Sequence, residues 1–323
     1  MAKSDGGGII AVVPTLDEAA GIEACLESLL AGRAAAPIVV ADGGSADGTR
    51  AVVAALAERH PGIALTDNPG RRQAAAVNMV AARWPDARVL VRCDAHALYP
   101  PDFVAGVAAA MAARGAQGLA VPMDAGARPG AGAFARSNAA AVDTKLGSGG
   151  SAHRGGTRSG WVDHGHHAGL DAAMFRRLGG YDETLIANED AEYDTRLARA
   201  GGRVWLEAGL RVRYFVRESP GALWRQYHAY GRGRAAHVRR HRVWPRLRQL
   251  APALHVVLLA VSVLGAVAAP WTLGYAGLYA LVLVGAAAWL AASRRDAGLL
   301  LAGVALGIMH LAWGTGFWRG LLR

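Results

Sequence analysis

Short apolar runs alternate with longer segments of helical spacing over the first two-thirds of the chain. Residues 8–13 are a β-branched apolar run that stops at Pro14, the pattern of a buried strand. Beyond Asp17, the positions Ile22, Cys25, Leu26, Leu29 and Leu30 recur at helical spacing. Residues 37–41 repeat the strand pattern and end at Asp42, and the glycine-rich loop 43–48 leads into a helix from Thr49 to about His60. A third strand is predicted over 63–66. Gly70-Arg71-Arg72 then opens a helix to Arg83, and 88–92 forms a fourth strand ending at Cys93-Asp94. A helix over 101–114 and a fifth strand over 119–122 follow. Such alternation predicts an α/β domain on a doubly wound, mostly parallel sheet. Residues 124–159 are rich in Gly, Ala, Arg and Ser and read as a helix followed by a loop, either an active-site lid or a plain connection.

The pattern changes at Gln249. From there to Ser293, 45 residues pass without one Asp, Glu, Lys or Arg. About 20 helical residues cross a hydrocarbon core, so two spans fit, over 252–269 and 273–292, with Pro270, Trp271 and Gly274 at the turn. Trp271 and Tyr275 suit a headgroup interface. A third uncharged stretch, 297–318, is long enough to span, with Trp313 and Trp318 near its end. Spanning would leave Arg319 and Arg323 on the outer side, against the positive-inside trend, so a re-entrant or interfacial course stays open. The chain therefore divides into a catalytic domain over 1–235, a basic juxtamembrane segment over 236–251 and a membrane region of two to three helices over 252–323.

Charge adds location. The formal net charge is +10, and the only lysines are Lys3 and Lys145. Arginine in that excess, beside abundant Ala and Gly, reflects a GC-rich coding bias more than nucleic-acid binding. No basic groove with interleaved aromatics accompanies it, so a nucleic-acid partner is excluded. The stretch from Arg225 to Arg248 is dense in arginine and free of acid, and directly precedes the apolar tail, where it would meet anionic headgroups. Cys25 and Cys93 sit in no metal or redox spacing. Residues 1–8 lack the apolar core of a signal peptide. A multi-pass protein of the cell membrane with its catalytic domain in the cytoplasm is expected.

Asp17, Asp42 and Asp94 each follow a predicted strand. Ligands of such sheets lie beyond the carboxyl ends of the strands, so three acids there point into one crevice, suited to a nucleotide or a metal.

Motifs now add a resemblance. Val12-Val13-Pro14-Thr15-Leu16-Asp17-Glu18, and Asp42 with the turn Gly43-Gly44-Ser45-Ala46-Asp47-Gly48-Thr49, resemble the first two motifs of family 2 glycosyltransferases. Arg92-Cys93-Asp94-Ala95-His96 stands where most relatives carry Asp-x-Asp, and the Asp-Ala-His form resembles the succinoglycan-biosynthesis (ExoA-like) branch. Gly179-Gly180-Tyr181-Asp182-Glu183, Glu189-Asp190 and Gln226-Tyr227-His228-Ala229-Tyr230-Gly231-Arg232-Gly233-Arg234 complete the set, over about residues 8–235.

The resemblance implies a GT-A fold, with C-terminal membrane helices in that branch. It implies that Pro14, Thr15 and Glu18 line the base and ribose pocket and that Asp42 accepts a hydrogen bond from the base. Gly70, Arg71 and Asn78 match the segment beside ribose and diphosphate. Asp94, also on the nucleotide, and His96 would hold a divalent cation, Mn²⁺ by the imidazole ligand, with Mg²⁺ open. Asp190 would be the general base of an inverting displacement, with Glu189 as its partner. His164, Gln226 and Arg232 would face the acceptor or the diphosphate, and Arg234 shares the last role as an alternative. The 162–169 run, though His-rich, lacks the distant pair that a zinc site needs. The Gln-x-x-Arg-Trp pattern of polymer-forming relatives is absent, which favours single-sugar transfer. The implied donor is a nucleotide sugar, UDP- before GDP-linked, and the acceptor a lipid-linked sugar or glycan in exopolysaccharide or cell-wall synthesis. Two other readings remain: a polyprenyl-phosphate glycosyl synthase, and a non-catalytic sugar-nucleotide-binding membrane scaffold.

Overall fold

The computed structural model describes residues 8–32, 36–151, 154, 157–243, 245 and 247–322. In chain order the strands are β1 (Ile9–Thr15), β2 (Ile38–Asp42), β3 (Ile63–Asp67), β4 (Val89–Arg92), β5 (Ala97–Leu98), β6 (Gly118–Ala120), β7 (Met123–Gly126), β8 (Gly160–Val162), β9 (His167–Asp171), β10 (Val204–Leu206) and β11 (Val212–Phe215). The helices are α1 (Ile22–Leu30), α2 (Thr49–Arg59), α3 (Gln73–Arg83), α4 (Phe103–Arg114), α5 (Ala133–Val142), α6 (Lys145–Ser148), α7 (Ala172–Arg177), α8 (Glu189–Arg199), α9 (Pro220–His241), α10 (Leu247–Gly265), α11 (Leu273–Arg294) and α12 (Ala302–Leu321). They divide into two compact units, one of Met1–Asp124, Ala152–Thr184 and Glu189–Tyr214, the other of Ala125–Ser151, Leu185–Asn188 and Phe215–Arg323.

The first unit is built on an eight-stranded sheet in the order β3-β2-β1-β4-β9-β6-β10-β8. β3, β2, β1 and β4 run parallel, and β9 turns against both β4 and β6. β6 and β10 are parallel again, and β8 closes the edge antiparallel to β10. The sheet is thus mixed α/β, parallel in its first half. The continuous apolar run of β1 follows from burial on both faces, because parallel strands are covered by helices on either side. Its core joins Ile10, Val12, Val39 and Leu90 with Val77 and Val80 of α3 and with Phe175, Tyr181, Tyr193 and Leu197. Parallel pairing brings Thr15 of β1 level with Asp42 of β2, and Val12 level with Arg92 of β4. The carboxyl ends of three strands consequently lie side by side, where the chemistry-bearing loops begin.

The second unit is helical. α5 forms within the segment read as helix and loop, and the far part of that loop, at 152, 153, 155 and 156, lies outside the described residues. So do residues 1–7 and 323. The domain boundary expected at 235 falls inside α9, an unbroken helix from Pro220 to His241.

The tail differs in detail from the sequence pattern. Among the described residues two helical stretches are long and apolar enough to cross a membrane, Pro270–Arg294 and Ala297–Leu321, each of 25 residues. The stretch left open as re-entrant is thus one of the two. The helix before them, expected as the first span, carries its apolar part over Gln249–Gly265 and is the shorter. α10 and α11 present Leu254, Val261, Leu264, Leu278, Leu281 and Trp289 outward. α12 is different: it buries Ala305, Gly307, Ala312, Gly314 and Gly316. A Cβ added at Gly231 of α9 would strike the backbone of Trp313 and Phe317, and one at Gly316 the backbone of His228. α9 and α12 therefore cross with backbones in contact, and only glycine fits at those points.

Candidate active site

The turn after β2 is laced to the turn after β1. Asp17 donates its amide to the Ser45 hydroxyl at 2.9 Å and accepts from the Ala46 amide at 2.8 Å. The Glu18 amide donates to Thr49 Oγ1 and the Ala19 amide to Asp47 Oδ2, each at 2.9 Å. The Ser-Ala-Asp-Gly-Thr motif thus holds two strand-end loops in register, with Gly48 in the left-handed region that opens α2. Asp42 is buried, and its oxygens accept from the Gly44 and Ser45 amides, the Ser45 hydroxyl and the Arg50 guanidinium. Burial opposes ionisation, but these donors outweigh it and hold the carboxyl below its usual range. The carboxylate expected to meet the base also orders the turn.

Thr15 is buried, its hydroxyl on the Val13 carbonyl, and Pro14 precedes it in β1. A Cβ on Gly70 would overlap Ala75, so the entry to α3 needs glycine. Arg71 has φ 54° and lies over Gly43 and Gly44. Asn78 lies on α3. Its amide donates to the Tyr181 carbonyl and to Glu183 Oε1, and its oxygen accepts from the Tyr181 amide, each at 2.8 Å. Both ends of the side chain clamp the Gly-Gly-Tyr-Asp-Glu turn.

At the end of β4 lies Arg92, only 6% exposed. Its guanidinium reaches Asp94 Oδ1 and Glu189 Oε1, both at 3.6 Å. The Gln73 amide oxygen, in the orientation that satisfies the amide, also faces this guanidinium. Asp94 faces His166 Nε2 at 3.5 Å from its other oxygen. Burial would raise the Asp94 pKa, but His166, Arg92 and His96 bring it down to about 2. His166 is itself pushed down to about 4, first by burial, so its ring is neutral at pH 7. His96 Nδ1 lies 2.9 Å from Glu18 Oε1. An imidazole that donates Nδ1–H to a carboxylate keeps its lone pair on Nε2, the form metal-ligating histidines take. Asp94, His96 and His166 thus have the donor chemistry for one divalent cation. Among the described residues no group of three such side chains is placed to hold a metal ion.

Glu189 and Asp190 open α8. Asp190 accepts from the Ala191 amide at 2.7 Å. Burial favours its neutral form, but His164, Arg92 and His167 overcome that and hold it well below the carboxylate range. Glu189 moves the other way, raised by burial and by the charge of Asp190. Two adjacent carboxyls driven apart in this manner can divide acid and base roles. One helical turn on, buried Asp194 accepts from His164 Nδ1 at 2.8 Å and lies 2.7 Å from His167 Nε2, whose Nδ1 meets Tyr181 Oη at 2.8 Å. Gln226 and Arg232 lie on α9 in the second unit, where Gln226 donates to Tyr230 Oη at 3.1 Å and the Arg232 backbone packs beneath Gly320.

The family model for glycosyl transferase family 2 matches residues 10–178, which carry the strand ends just described. The chain belongs to glycosyl transferase family 2. It is 41% identical over 314 residues to the succinoglycan biosynthesis protein ExoA of Rhizobium meliloti (strain 1021), covering 96% of this chain and 94% of that one. The fold is similar to that of the mannosyltransferase PcManGT from Pyrobaculum calidifontis, solved with GDP-Man and Mn²⁺, at TM-score 0.54 and 22% identity over 94% of this chain and 87% of that one. GalNAc-T7, solved with UDP, GalNAc and Mn²⁺, aligns at TM-score 0.50 and 16% identity over 70% of this chain and 48% of that one. The domain is a GT-A fold, and the protein is a glycosyltransferase similar to ExoA of exopolysaccharide synthesis; the scaffold reading gives way to an enzyme.

Sequence reasoning gave no role to Arg92, His166, His167 or Asp194. Each had a signal. Arg92 ends an otherwise apolar buried strand, where a cation needs partners. Asp194 stands four residues after Asp190, on the same helix face.

Proposed function

We propose that the enzyme transfers one sugar, with inversion, from a nucleotide sugar to a lipid-linked or glycan acceptor at the cytoplasmic membrane face, with a UDP-sugar as donor. The observation that carries this reading is the buried Arg92 bridge. It joins Asp94, on the diphosphate side of the implied site, to Glu189, next to the base Asp190.

In this reading the acceptor hydroxyl attacks the anomeric carbon from the face opposite the diphosphate. Its proton passes to an Asp190 oxygen, a C–O bond forms and the bond to the diphosphate breaks. Asp190 is held ionised by its surroundings, so it is ready to accept without first losing a proton. Arg92 keeps the carboxylates on both sides of the bridge in place, which limits reorganisation as charge moves. Asp94 and His96, with His166 beside them, would hold a divalent cation, and the imidazole donors favour Mn²⁺ over Mg²⁺. When bound, the cation neutralises the leaving diphosphate. Glu18 orients His96, while Pro14, Thr15, Asp42, Gly70 and Arg71 form and order the loops for the nucleoside and diphosphate. His164, Gln226 and Arg232 are assigned to the acceptor or diphosphate side. The apolar helices and the likeness to ExoA support membrane association.

The test is release of nucleoside diphosphate from UDP- and GDP-sugars by membranes holding the full chain, with Mn²⁺, Mg²⁺ or a chelator. Turnover that needs the metal and disappears in Asp190→Asn supports the proposal. Turnover that survives in Asp190→Asn removes Asp190 from the role of base.

A further inference from the structure

Asp194 is a buried carboxylate one helical turn after Asp190. Residues four apart on a helix stand about 5–6 Å apart at Cβ, so the two acids share one face of α8. Asp194 Oδ2 lies 2.8 Å from His164 Nδ1, and its Oδ1 lies 2.7 Å from His167 Nε2. The His167 ring is fully buried, and its Nδ1 meets Tyr181 Oη at 2.8 Å. The His164 side chain, in the loop before β9, is 29% exposed. One carboxylate thus holds two imidazoles, one sealed in the core and one open to solvent.

The proton positions follow from the carboxylate. Burial opposes ionisation of Asp194, but His167 and His164 outweigh that cost and hold it below the usual carboxylate range. An ionised carboxylate only accepts, so His164 Nδ1 and His167 Nε2 both carry hydrogens. This holds whether the His164 ring is neutral or charged. Each oxygen of Asp194 is engaged by an imidazole, which leaves Asp190 as the acid of this face that can take a substrate proton. The bond to His164 leads outward from the core towards Asp190. Against the cost of burial, His164 is the first of the groups that favour the ionised form of Asp190.

We propose that Asp194 is a positioning residue of the transfer step, which fixes the His164 ring beside Asp190 and so orients the base for the acceptor hydroxyl. The inference rests on the reading of Asp190 as the base. The hydroxyl proton passes to Asp190, and none moves to Asp194. An amide in place of the Asp194 carboxylate would meet two ring N–H groups with one accepting atom, so one imidazole would have to turn.

A double-mutant cycle on the full chain provides the test. Membranes holding the parent, Asp194→Asn, His164→Gln, the double variant or Asp190→Asn receive UDP- and GDP-sugars with Mn²⁺, and release of nucleoside diphosphate is followed. Rates are taken per UDP- or GDP-binding site, so that a loss of folded protein does not count. In each single variant of the pair kcat should fall about 10–100-fold, with affinity for UDP and GDP unchanged. The double variant should be no slower than the slower single one, because Asp194 acts through His164. Losses that multiply in the double variant overturn the coupling. An unchanged rate per site in Asp194→Asn overturns the role and leaves Asp194 a structural brace. His164→Gln alters a partly exposed side chain and decides the matter if Asp194→Asn fails to fold: an unchanged kcat there also overturns the proposal. Turnover that survives in Asp190→Asn is a different failure, since it removes the base on which this role rests.

Discussion

Arg92 shows how a single side chain can tie a site together. It is buried between Asp94 and Glu189, and its own pKa is raised by Asp94, Tyr181, Glu189 and Asp190 against the cost of burial. Arg92→Met leaves those acids without their cation, so unfolding free energy should fall by about 3–5 kcal/mol, read by denaturant titration. Asp190→Asn keeps the shape but removes the proton acceptor. Its kcat should fall by about 10²–10⁴-fold, with donor affinity unchanged by calorimetry. Asp42 carries a pH prediction. Its folded pKa lies below the unfolded value of about 3.9. Its stabilisation is therefore complete above that value and is lost as pH falls through the lower folded one. As pH falls below about 4, the parent should lose more stability than Asp42→Asn. Equal slopes for the two proteins would sink the assignment. At this scale residue types were legible in the sequence, but partners were not. Asn78 is legible only by its motif, and the sequence does not show that its amide clamps a turn whose backbone lies more than a hundred residues away.

At the scale of elements, strands and helices of the first unit follow the hydrophobic pattern closely. Val12 to Pro14, residues 38–42 and 89–92 fall in strands, since an apolar run bounded by turn residues has few other ways to bury itself. The glycines of α9 needed the structure. In a helix interior each costs about 1 kcal/mol relative to alanine, and the sequence offered only a family motif as the reason. The close crossing with α12 supplies a physical one. Gly231→Ala should lower stability by about 1–3 kcal/mol through overpacking. Gly285→Ala on α11 meets open space and should be neutral or slightly stabilising. Thermal unfolding in detergent compares the two, and equal effects would remove close packing as the cause.

For the whole molecule, the apolar tail carries a prediction about membrane association. The full chain is expected to stay in the membrane fraction through an alkaline carbonate wash and to leave it only with detergent; release by carbonate alone would contradict integral insertion. The sequence by itself determined the α/β class, the glycosyltransferase family and the existence of an uncharged tail. These depend on local periodicity and on motifs whose residues are neighbours in the chain. Only the tertiary structure decided that α9 joins the helical unit and that two of the three tail helices reach spanning length. It also decided that Arg92, His166, His167 and Asp194 share the surroundings of Asp94 and Asp190. Those relations join residues far apart in sequence, and pairing across strands and helix ends, which no local pattern encodes, brings them together.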